Sequence, residues 1–64
     1  MPLVQIQMVE GRSLEKKLAL IREVTDAVIH AIDAPRQSIR VVLIEVPPEN
    51  FGVGGITKAE QAGK

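Results

Sequence analysis

At 64 residues the chain is one small domain, expected over 1–64, and a domain of that size buries only roughly 60% of the surface its unfolded form exposes. With no cysteine and a single histidine, neither a disulfide nor a structural zinc site can staple it, which leaves self-association as the route to stability. Eight basic residues balance eight acidic ones and only one residue is aromatic, so nothing points to nucleic acid; no apolar run approaches the ~20 residues of a membrane span, Glu10 and Arg12 interrupt the N-terminal stretch before a signal peptide could form, and a cytoplasmic setting fits.

Pro2 follows Met1 directly. Removal of Met1, usual where the next residue is small, would leave Pro2 as a free secondary amine. Its lone pair would be held rigidly at the end of a strand. Leu3 to Val9 reads as that strand, because Val4, Ile6 and Met8 alternate with Gln5 and Gln7 at the period of a half-buried sheet. Glu10-Gly11-Arg12 is a turn. Ser13 is a helix N-cap candidate, although Lys16 stands where a capping box wants Glu or Gln.

From Ser13 to about Ile32 the apolar residues Leu14, Leu18, Ile21, Val24, Val28 and Ile32 recur every three or four positions, one face of a helix. Lys16, Lys17, Glu23 and Asp26 fall mostly off that face. Asp33-Ala34-Pro35 ends the helix, since Pro35 disfavours helical angles at Ala34. After a short connection, Arg36 to Ser38, a second strand runs from Ile39 to Val46, and Pro47-Pro48 stops it. Its Val41-Val42-Leu43-Ile44 centre is apolar on both faces, as in a strand covered on both sides. In Phe51-Gly52-Val53-Gly54-Gly55-Ile56, three glycines in four residues indicate a tight hairpin or loop.

The fold class is therefore α+β: a βαβ unit with parallel strands, a right-handed crossover and a short C-terminal hairpin. One helix covers one face of a two-stranded sheet. The other face of the second strand needs a second copy, and the hairpin is expected to pack on a neighbouring subunit.

Few residues can do chemistry. Arg12 and Arg40 carry forked guanidinium groups suited to carboxylates; their structural alternatives are a solvated loop charge and a residue snorkelling off a strand end. His30 could be a general base, but it lies late in the helix near Asp26 and Asp33, where an exposed helix residue is the favoured reading. Phe51, the only aromatic residue, can pack the tail and line a pocket at once. The Gly-Val-Gly-Gly stretch lacks the spacing and lysine of a phosphate loop.

Taken in order, Pro2 before a strand, Glu10-Gly11-Arg12-Ser13, Leu20-Ile21-Arg22-Glu23-Val24, Asp33-Ala34-Pro35, Ser38-Ile39-Arg40-Val41 and Phe51-Gly52-Val53-Gly54-Gly55 closely resemble the 4-oxalocrotonate tautomerase family. The resemblance runs over nearly the whole chain and fades at Pro47-Pro48 and from Ala59 to Lys64. It implies an oligomeric tautomerase-like fold, a homohexamer built as a trimer of βαβ dimers with its sites between subunits. It also implies an isomerase of aromatic-hydrocarbon catabolism that needs no metal or cofactor.

By the same resemblance Pro2, once Met1 is lost, is the general base that converts the dienol 2-hydroxymuconate to 2-oxo-3-hexenedioate. Arg40 holds the C1 carboxylate, Arg12 of another subunit holds the C6 carboxylate of this small dicarboxylate, and Phe51 walls the pocket. A relative in the superfamily, trans-3-chloroacrylic acid dehalogenase, adds water with the help of a glutamate after the tail aromatic; Val53 here disfavours hydration. Two other readings are a family member acting on a different enol or unsaturated acid, and a non-catalytic βαβ assembly module, which a retained Met1 would favour.

Overall fold

The computed structural model describes residues 1–62, so the last two residues of the expected domain lie outside the described residues. Strand β1 (Leu3–Val9) leads into helix α1 (Leu14–Ile32), then β2 (Arg40–Val46), the short strands β3 (Gly52–Val53) and β4 (Ile56–Thr57), and helix α2 (Lys58–Ala62). Single 3-10 turns occupy Arg36–Ser38 and Pro48–Asn50.

β1 and β2 pair in parallel along their whole length, from Leu3 opposite Arg40 to Val9 opposite Val46, as the strand–helix–strand order requires. β2 starts one residue later than the sequence indicated. The Ile39 N–H is used to close the preceding 3-10 turn on the Arg36 carbonyl at 3.2 Å, so the ladder begins with Arg40.

α1 begins as its sequence predicts. Ser13 is extended (φ −68°, ψ 160°), and its hydroxyl accepts the Lys16 N–H at 3.3 Å. The helix ends where Asp33 turns left-handed (φ 57°) and its N–H bonds the Ile29 carbonyl at 2.9 Å, just ahead of Pro35.

The covered stripe of α1 is rotated from the expected one. Leu20, Ile21, Val24, Thr25, Val28 and Ile29 are half-buried, whereas Leu14, Leu18 and Ile32 are 67%, 53% and 62% exposed. The helix has 19 residues and each strand seven, so at ~1.5 Å and ~3.3 Å per residue the helix overhangs the sheet at its ends. Lys17, expected off the packed face, leans over the sheet and pairs with Glu45 of β2 at 3.1 Å.

Among the described residues no side chain is fully buried. The radius of gyration is 14.9 Å, against about 11 Å for a compact chain of this length. Alternation sends Val4, Ile6 and Met8, with Val41 and Leu43, toward α1. The opposite face carries Leu3, Gln5, Gln7, Val42 and Ile44, and no element among the described residues lies over it; Leu3 is 57% and Val42 42% exposed.

The tail is a true hairpin. Gly54 (φ 62°) and Gly55 (φ 88°) form a two-residue turn with positive φ at both positions, the geometry that matches strand twist and that glycine adopts without steric cost. Val53 and Ile56, paired across it, are 58% and 48% exposed.

Helix α2 was not anticipated. Its start is a reciprocal capping box: the Glu60 N–H donates to the Thr57 hydroxyl at 3.1 Å, and the Thr57 N–H donates to the Glu60 carboxylate at 2.9 Å. The backbone and hydroxyl bonds from Thr57 hold the Glu60 carboxyl below its ordinary pKa. A carboxyl lowered on folding contributes stability above its unfolded pKa and loses it as pH falls through the folded value. Amide protection at Thr57 and Glu60 is therefore expected to fall on acidification below about pH 4, relative to the intrinsic exchange rate. Glu60→Gln should remove that pH dependence. Protection equal at neutral and acid pH in the wild-type chain would contradict the role given to the carboxylate.

Candidate active site

The side chains singled out in the sequence gather at two ends of the parallel sheet. Pro2 precedes β1, is half-buried, and accepts the Arg40 N–H on its carbonyl at 3.0 Å. Arg40 opens β2 directly opposite Leu3, on the uncovered face. Its side chain is exposed, and Nη1 donates to the Gln37 carbonyl at 3.1 Å. The parallel register makes these two residues neighbours, because both strands start at the same end.

Arg12 and Phe51 lie at the other end. Gly11 has φ 129°, a conformation that L side chains rarely adopt, and this turn brings Arg12 back so that Nη1 donates to the Val9 carbonyl at 3.3 Å. Beyond β2, the Phe51 N–H bonds the Pro48 carbonyl at 3.3 Å, and the Phe51 carbonyl accepts the Lys58 N–H at 2.9 Å. Between these segments is a cleft of about 510 Å³ whose walls include Met8, Val9, Arg12, Pro48, Phe51 and Lys58.

Neither Pro2 nor Arg40 lines that cleft. With seven residues in β1, the two ends are about 20 Å apart at ~3.3 Å per residue, several times the length of a six-carbon dicarboxylate. A single chain thus cannot bring Pro2 and Arg12 onto one such molecule. His30 is exposed in the last turn of α1 and lies outside the cleft.

Lys58 was not recognised in the sequence as part of any site. The signal that could have found it is Thr57-Lys58-Ala59-Glu60, a capping box that starts a helix immediately after the hairpin. Among the described residues no group of three or more histidine or carboxylate side chains is placed to hold a metal ion, and no helix is long and apolar enough to cross a membrane.

A parallel βαβ unit closed by a glycine hairpin, with a proline at the head of its first strand, defines the class of small α+β tautomerases. The chain belongs to the tautomerase family: the family model described as tautomerase enzyme matches residues 2–61. It is 51% identical over 55 residues to 2-hydroxymuconate tautomerase of Stutzerimonas stutzeri, covering 86% of this chain and 87% of the relative. It is 46% identical over 59 residues to a probable tautomerase of Ralstonia nicotianae, covering 92% and 84%. The heterohexameric 4-oxalocrotonate tautomerase of Chloroflexus aurantiacus superposes with a TM-score of 0.90 at 45% identity, over 94% of this chain and 97% of that one. Family membership makes the chain an isomerase.

Proposed function

We propose that this chain, starting at Pro2, ketonises 2-hydroxymuconate to 2-oxo-3-hexenedioate with the Pro2 amine as the base. The observation that carries the proposal is the placement of Pro2: it heads β1, is half-buried, and has its carbonyl pinned by the Arg40 N–H, in a chain 51% identical to a 2-hydroxymuconate tautomerase. Met1 is 82% exposed, so an aminopeptidase can reach the bond that must be cut.

The nitrogen takes the proton from the 2-hydroxyl. The C2–O bond becomes a carbonyl, the C2=C3 and C4=C5 double bonds collapse to C3=C4, and C5 receives the proton back from the proline. Atoms balance with one proton moved and no cofactor. An amine is an effective base at neutral pH only when its pKa is brought toward the working pH, and burial and nearby guanidinium cations both act in that direction.

Arg40 holds the C1 carboxylate and stabilises charge on the adjacent oxygen. Arg12 holds the C6 carboxylate and Phe51 walls its site. The separation of about 20 Å within one chain supports taking Arg12 and Phe51 from a neighbouring subunit. Assembly over the uncovered sheet face into a homohexamer, a trimer of dimers, brings them together. The absence of cysteine suits a cytoplasmic enzyme.

The ultraviolet trace of 2-hydroxymuconate ketonisation, on protein whose intact mass confirms Pro2 as the first residue, tests this reading. Enzymatic conversion supports it. Conversion at the uncatalysed rate with Pro2 free would refute the substrate assignment and leave another enol or unsaturated acid as the substrate.

A further inference from the structure

Arg12 is not the only cation on the far cleft. Lys58 lines it too, and none of the described residues lining the cleft is an acid. Among the described residues the ion pairs are Lys17–Glu45 and Arg36–Asp26, so neither Arg12 nor Lys58 pairs with a described carboxylate.

The backbone at Lys58 is fixed from two sides. Its N–H is bonded to the Phe51 carbonyl at 2.9 Å, and the Thr57–Glu60 capping box sets it as the first residue of α2. Phe51, the proposed wall of the pocket, and Lys58 are therefore joined by a backbone hydrogen bond. Like charges on two residues that line one largely apolar cleft repel each other, and an anion seated between them would relieve that repulsion. A carboxylate has two oxygens and can accept a charge-assisted hydrogen bond from each cation.

We infer that Lys58 is a substrate-binding and specificity residue: with Arg12 it forms a two-cation seat for the far carboxylate, so that the site selects unsaturated dicarboxylates over monocarboxylates of the same length. This deepens the proposed function and rests on its assignment of Arg12 to the far carboxylate.

The test uses two probes that lack the hydroxyl group and so are not ketonised. Muconate is a six-carbon diene with two carboxylates; sorbate is the six-carbon diene with one. Both are titrated calorimetrically into the assembled wild-type protein, Lys58→Gln and Lys58→Arg, each checked for native circular dichroism and sedimentation. The wild type should prefer muconate. Lys58→Gln should reduce that preference, the ratio of the two dissociation constants, by about 5- to 10-fold, and Lys58→Arg should restore most of it.

A wild type with no preference for muconate would overturn the inference. So would an unchanged preference in Lys58→Gln, or equal weakening of both probes, which is what a purely structural role would give. Binding and turnover separate the two proposals. Lys58-dependent preference without ketonisation would remove the proposed substrate and keep the two-cation seat; ketonisation without that dependence would do the reverse.

Discussion

Protein that retains Met1 will ketonise 2-hydroxymuconate about a hundred- to ten-thousandfold more slowly than protein that begins at Pro2, the range by which a positioned general base accelerates proton transfer. In the Met1–Pro2 peptide bond the proline nitrogen shares its lone pair with the carbonyl, and it has no hydrogen to give. It can neither take the hydroxyl proton nor return one to C5. The single histidine, His30, is exposed in the last turn of α1. Because Met1 is 82% exposed, its retention should leave circular dichroism and sedimentation as they are. Steady-state rates plotted against the fraction of Met1-free chains, read by intact mass, should rise linearly from near zero. Equal rates for both forms would place the base elsewhere.

Val42→Asp will abolish assembly at micromolar concentration and most of the folded signal with it. Val42 lies opposite Gln5 in the middle of the uncovered face, between the Leu3–Arg40 and Gln7–Ile44 pairs. An aspartate there carries a charge into the contact proposed over this face, and desolvating an unpaired charge costs several kcal/mol per copy. Symmetry repeats that cost in every subunit. The isolated chain has little to fall back on, since none of its described side chains is fully buried. Sedimentation and far-ultraviolet circular dichroism over a concentration series should show dissociation and unfolding together, with Val42→Ile behaving as the parent. A folded Val42→Asp monomer would show that the chain needs no partner on this face.

The parts of the fold legible in the sequence were those fixed by local rules. Alternation in β1, the Ser13 cap and the Asp33-Ala34-Pro35 stop are each written in a few adjacent residues, and strand–helix–strand order then implies the parallel pairing. What was missed depended on packing. Periodicity gives the spacing of an apolar stripe but not its rotation over a narrow sheet, and Leu14, Leu18 and Ile32 of that stripe are exposed in the single chain. α2 is five residues long, too short for periodicity to reveal, and only its capping box marked it.

The same division holds at the site. Parallel topology alone sets Pro2 beside the start of β2 and Arg12 beside the chain that leaves it, so the two clusters at opposite ends follow from the fold class. Lys58 was missed because α2 was missed.

The most direct test of a site shared between chains is subunit mixing. Chains that retain Met1 lack the base but keep Arg12, and Arg12→Ala chains keep the base but lack the far-carboxylate ligand. The two are unfolded, combined in equal amounts and refolded together, and the ketonisation rate is compared with the mean of the two parents refolded alone. If the sites lie between chains, roughly a quarter of them regain both groups, and the rate exceeds that mean several-fold. A rate equal to the mean would show that no site combines Pro2 of one chain with Arg12 of another.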